Sequence, residues 1–106
     1  MLRRWEIGGK VFVVCDVPPE QHHLDVRLEV RSGAQWISMA TVTSDKPPSS
    51  RGDFYLVSFV GCQPGDWRTH AIATGQLGDR PFHFEDTSQV TTITRDDCER
   101  ARKRAG

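Results

Sequence analysis

Three cysteines (Cys15, Cys62, Cys98) and four histidines (His22, His23, His70, His83) are the residues here whose types could do the most chemistry. A cysteine nucleophile would need a histidine base beside it and hydrogen-bond donors for an oxyanion. A tetrahedral zinc site would need four ligands, and structural sites usually draw cysteines only a few residues apart. Neither pattern can be read in this chain. His22-His23 stand in a Pro-bounded polar stretch, and His70 and His83 fall on strand-like segments, where histidine usually occupies the solvated face. An odd cysteine count without CxxC spacing argues against a disulfide framework and fits a reducing, cytoplasmic setting. The alternative is a secreted domain in which Cys15 and Cys62 are bridged. No catalytic residue, metal or cofactor is therefore expected.

Two further clusters carry charge or aromatic surface. Arg100, Arg102, Lys103 and Arg104 form a basic run that could contact phosphate backbones. With no aromatic interleaving and 14 basic against 14 acidic residues, the chain has no overall field to draw in nucleic acid. Trp36, Tyr55, Trp67 and Phe82 exceed what one small core would hide, and aromatics dominate protein interfaces. They are the expected partner-binding residues. Arg51-Gly52-Asp53 matches the integrin-binding tripeptide over three residues only and reads as the end of a polar loop.

Composition sets the frame for these residues. With 37% hydrophobic and 26% charged residues, the 106-residue chain reads as one ordinary globular domain, long enough for one core. There is no apolar run long enough to span a membrane as a helix, and "MLRRWEIGG" lacks the apolar stretch of a signal peptide.

The elements that must position the candidate residues are strands. "LDVRLEVR" alternates without a break, with Leu24, Val26, Leu28 and Val30 on one face and Asp25, Arg27, Glu29 and Arg31 on the other. "SGAQ" turns the chain into "WISMATVT", a second strand of poorer alternation. Gly8-Gly9 between "RRWEI" and "KVFVV" predicts a two-residue hairpin, with Trp5 opposite Phe12 and a core face of Trp5, Ile7, Phe12 and Val14. "FYLVSFVGC", apolar on both faces, predicts a strand covered on both sides, and Pro64-Gly65 a type II turn into "WRTHAIATG" as a third hairpin. "QLGDRP" reads as a loop, "FHFE" and "QVTTIT" as short strands. Thr94 and Asp97 form a capping-box pattern ahead of a short charged helix over 95–104.

These features predict an all-β fold, a small antiparallel sandwich or partly open barrel of about seven strands with a C-terminal helix. Cys15, Trp36 and Cys62 stand in immunoglobulin order, but the cysteines are too close and Val60 occupies the place of the tyrosine, so no family is assigned. The expected function is a non-enzymatic module that binds a partner protein, or a second copy, through a sheet edge or aromatic-bearing face. Nucleic-acid contact through the basic tail and a small Cys/His-dependent enzyme are the alternatives.

Overall fold

The computed structural model describes residues 6–13, 21–46 and 51–105, with strands β1 (Glu6–Val13), β2 (Gln21–Ser32), β3 (Gln35–Ser44), β4 (Asp53–Val60), β5 (Gly65–Leu77), β6 (Arg80–Thr87) and β7 (Thr91–Ile93), and helix α1 (Arg95–Ala105). The all-β expectation holds, and every pairing between these strands is antiparallel. β1 and β4 form a two-stranded sheet. The larger sheet has the order β3-β2-β5-β6, and β7 joins β5 on the same edge as β6. β4 lies across β2 and β3, and β1 across β5 and β2. The two sheets do not close into a barrel.

The alternation in β2 places its residues as expected: Leu24, Val26, Leu28 and Val30 are buried. Ile7, Val57 and Trp67 meet them from β1, β4 and β5 to complete the core. The uneven pattern of β3 has a local cause. Leu28 pairs with Ala40 and Glu29 with Ser38, so Met39 is an extra residue in a β-bulge that shifts the strand's phase. Trp36 therefore faces outward with Arg31, while Ala40 and Val42 face inward with Leu28 and Val26.

Two hairpin turns follow one rule. Ser32 pairs with Gln35 and Leu77 with Arg80, leaving Gly33-Ala34 and Gly78-Asp79 as two-residue loops. The first residue of each has positive φ, 61° at Gly33 and 64° at Gly78, as a type II′ turn requires. The segment read as a loop at "QLGDRP" is thus a tight hairpin that extends β5 and β6.

Three further expectations, about pairing and about cysteine, are overturned by the fold. Gly8 and Gly9 are not a turn: both lie within β1, opposite Ser58 and Val57 of β4. Gly9 sits where β1 crosses β5, and a Cβ there would collide with the Thr69 side chain, so glycine serves close approach between sheets. Phe12 consequently lies on the face opposite Ile7 and is 52% exposed. Trp5, Val14 and Cys15 lie outside the described residues. Nor do β4 and β5 form a hairpin: residues 61–64 carry the chain from the small sheet to the large one, and Gly65, at φ 147°, is the first residue of β5 rather than the centre of a type II turn. The third correction concerns cysteine, for Cys62 and Cys98 are disulfide-bonded, with Cα atoms 5.5 Å apart. Cys62 is therefore not Cys15's partner, and the odd count hid a real bridge.

α1 begins as the capping pattern predicts, with aspartate in the role usually taken by glutamate. The Asp97 amide donates to Thr94 Oγ1 (3.1 Å), and the Thr94 amide donates to Asp97 Oδ2 (2.9 Å). These bonds, with Arg100 beside them, hold the Asp97 carboxyl below its usual range. A carboxyl lowered on folding stabilises the fold above its unfolded value, a contribution lost as pH falls through the folded value. Thr94→Ala is expected to cost about 1 kcal/mol of helix stability. Its ellipticity at 222 nm should be reduced at pH 7, and that of Asp97→Ala, which removes the titrating carboxyl, should change less than the parent's between pH 5 and 2. Identical acid profiles would refute the capping role.

Candidate functional site

The free edge of β1 is the feature that the two-sheet arrangement leaves open. Among the described residues β1 pairs with β4 alone, so its second edge carries backbone donors and acceptors with no strand beside them. Two cavities lie along it. One, of about 370 Å³, is lined by Ile7, Cys62, Trp67, Ile93 and Ala101, among others, and so reaches from β1 to α1. The other, of about 440 Å³, is lined by Lys10, Val11, Val13, Ala71, Ala73 and Phe84, among others. Thr69 and Ser88 border both and form the waist between the two halves of a trough along β1, where the Thr69 side chain meets the β1 backbone at Gly9. That waist is held by hydrogen bonds: the Ser88 amide donates to the Thr69 carbonyl (2.9 Å), and the Thr69 amide to Ser88 Oγ (2.8 Å).

Apolar side chains around the trough lack cover. Phe84, on the inner face of β6, is 68% exposed and lies 5.8 Å from the half-buried ring of Phe82. On the outer face of the small sheet Phe12, Phe54, Leu56 and Val60 are exposed, with the Phe12 and Phe54 rings 4.8 Å apart and Lys10 Nζ 4.3 Å from the Phe54 centroid. The two-faced apolar pattern of "FYLVSFV" predicts a strand covered on both sides. Among the described residues only the Tyr55, Val57 and Phe59 side is packed against the core.

The four aromatics expected to bind a partner do not share a surface. Trp67 is 2% exposed: it is a core residue, stacked 5.6 Å from Phe59 and donating from Nε1 to the Gln63 carbonyl (2.9 Å), so the expectation of a surface contact fails. Tyr55 packs partly buried against the core. Trp36 lies on the outer face of the large sheet under the Arg68 guanidinium, 4.2 Å from the ring centroid. Phe82 alone borders the open floor beyond β1. Phe84, Phe12 and Phe54 were missed; the signal was present as aromatic residues on the second face of short strands. In the basic run, Arg100 is ion-paired with Asp97 (2.7 Å), and Lys103 is exposed on α1. Arg102 and Arg104 belong to α1, but their side chains lie outside what is described.

The histidines sit on both faces of the large sheet. On its outer face His70 Nδ1 lies 3.3 Å from Glu29 and its Nε2 3.2 Å from Glu85, while Arg68 Nε donates to Glu29 (2.8 Å). Glu29 is buried, and these two partners compensate for removing its charge from water. Glu85 also meets His83 (3.4 Å), and the histidines hold its carboxyl below the usual range, His83 most strongly. Among the described residues no group of three His, Cys, Asp or Glu side chains has a metal-binding arrangement. The bridge leaves neither Cys62 nor Cys98 as a free thiolate.

His22 is buried at the inner end of β2, its ring 6.3 Å from Phe82, and its Nδ1 has no hydrogen-bond partner among the described residues. Burial, then the charge of His23, push its pKa down, against a smaller opposing pull from Asp45. A histidine lowered on folding contributes full stability above its unfolded value near 6.5 and loses it as pH falls below that. His23, held up by its hydrogen bond to Asp45 (2.6 Å), acts with the opposite sign and is well exposed. In His22→Leu the urea midpoint is expected to drop less between pH 7.5 and 5.5 than in the parent. Equal drops would show that His22 is not the acid-sensitive group.

The fold and the trough thus define the class: two packed antiparallel sheets that do not close into a barrel, with the β1 edge one of the strand edges left unpaired among the described residues. Comparison with protein-family models, curated proteins and solved structures yields no match.

Proposed function

We propose that the domain is a non-enzymatic protein-interaction module that engages its partner at the free edge of β1. The observation that carries this reading is the union of an unpaired strand edge with two adjoining cavities along it and exposed aromatic side chains. Backbone groups at such an edge give affinity to an incoming chain, and the side-chain pockets give it selectivity. Nucleic-acid contact through α1 has weaker support, since Arg100 is already paired with Asp97. Two of the three thiols are engaged in the bridge, which weakens the cysteine-enzyme reading. The bridge also favours an oxidising compartment over the cytoplasmic setting expected from the cysteine count. Among the described residues no helix is long and apolar enough to cross a membrane.

The test is site-specific photocrosslinking in the source cells. Lys10→p-benzoylphenylalanine places the probe at the trough, and the same replacement of exposed Thr41 places it on β3. A discrete protein adduct at position 10 and none at position 41 is expected. Equal labelling at the two sites, or none at position 10, would reject the module.

A further inference from the structure

Resting on that reading, we infer that the partner presents an extended peptide segment, added as one strand beside β1, with apolar side chains at every second position and a basic residue among them. The widths of the two sheets set this limit. The large sheet is four strands across in the order β3-β2-β5-β6, whereas the small sheet covers it with two, β4 over β3 and β2 and β1 over β2 and β5. β6 is left as a shelf one strand wide, about 4.8 Å in the pairing direction. A strand paired with β1 would lie over it and cover Phe84, Phe82, Ala73 and Ala71, which share the inner face through the pairs Gly75–Phe82, Ala73–Phe84 and Ala71–Asp86.

That floor specifies the occupant. Side chains of an added strand point down at every second residue, so those above Ala71, Ala73 and Phe84 must be apolar for their burial to be favourable. Asp86 follows Phe84 on the same face, is exposed, and enters none of the ion pairs among the described residues, so a lysine or arginine at its level is the complementary choice. β1 offers eight residues, roughly 26 Å of edge at 3.3 Å per residue. A second copy does not fit. Joining β1 to β1 by a two-fold axis would bring both β6 strands into the same space beneath the new pair.

The experiment uses the oxidised full chain against a phage-displayed library of random ten-residue peptides, followed by synthesis of the enriched sequence. Enriched peptides should show apolar residues at alternate positions and one basic residue. N-methylation of backbone amides should weaken binding at least tenfold at positions of one parity and little at the other, because only one edge of an added strand pairs with β1. Phe84→Asp, at an exposed site that leaves the core intact, should weaken binding at least tenfold with its melting temperature unchanged. Asp86→Lys should weaken it similarly and be rescued by an acidic residue in the peptide.

Enrichment without period-two patterning, or equal tolerance of N-methylation at both parities, overturns strand addition. So does a concentration-dependent dimer that the peptide displaces, which would give the edge to a second copy. If no peptide is retained while a protein still crosslinks at position 10, the inference falls and the module reading stands; without that crosslink, the module reading itself has failed.

Discussion

Trp67→Ala is expected to destabilise the domain by about 3–5 kcal/mol, the usual cost of truncating a fully buried large aromatic. Trp67 is the largest of the fully buried side chains and belongs to the core formed by both sheets. Alanine removes the contact with Phe59, opens a cavity bordering Leu28 and Ile7, and leaves the Gln63 carbonyl without the indole N–H. Domains of this size are stable by about 5–15 kcal/mol, so the loss takes a large share of the total. Chemical denaturation of the parent and variant, read as a change in midpoint at constant slope, measures it. Trp67→Phe keeps most of the packing and loses the hydrogen bond, and should cost about 1–2 kcal/mol. A Trp67→Ala variant within 0.5 kcal/mol of the parent would place this side chain outside the core, contrary to its burial.

The second large effect is expected from the bridge. Cys62 and Cys98 are 36 residues apart, and a closed loop of that length restricts the unfolded chain enough to stabilise the fold by about 3–4 kcal/mol on the chain-entropy account. Cys98→Ser, or reduction of the parent, should lower stability by about that amount. It should also act locally. Among the described residues α1 makes no broad contact with any strand, and its attachment rests on Cys98 and the cap at Thr94. An isolated helix of 11 residues is marginal in water, so removing the tether should reduce helical ellipticity and open α1 to trypsin at Arg100 and Lys103. The wall that Ala101 lends to the trough would go with it. Full protection of α1 from trypsin after reduction would show that packing, rather than the bridge, holds the helix.

Trp67 and the Cys62–Cys98 pair also lie beyond what the neighbouring sequence determines. Trp67 reads as an exposed aromatic because nothing near it in sequence shows that residues 61–64 carry the chain between sheets. Cys62 and Cys98 gave no spacing signal because their pairing depends on where α1 lands after β7. Gly8-Gly9 misled for a related reason. Glycine suits a turn and suits close approach between two backbones, and only the position of Thr69 across the sheets distinguishes these uses. In the candidate site, Phe82 was legible as an aromatic without an obvious core role. The trough beside it was not, since its walls come from β1, β5, β6, β7 and α1, and its existence depends on one sheet being narrower than the other.

What the sequence determined alone was therefore local: the inner and outer faces of β2, the turn at Gly33, and the capped start of α1. Each follows from the pleat's two-residue repeat, from backbone angles that few residues accept, or from hydrogen bonds three residues apart. The tertiary structure decided which strands pair, that β1 and β4 separate from the larger sheet, which cysteines join, and that β1 keeps a free edge. Those outcomes depend on contacts between distant residues, where the gain from burying one face competes with the entropy of closing loops, and neither quantity is written in a short stretch of chain.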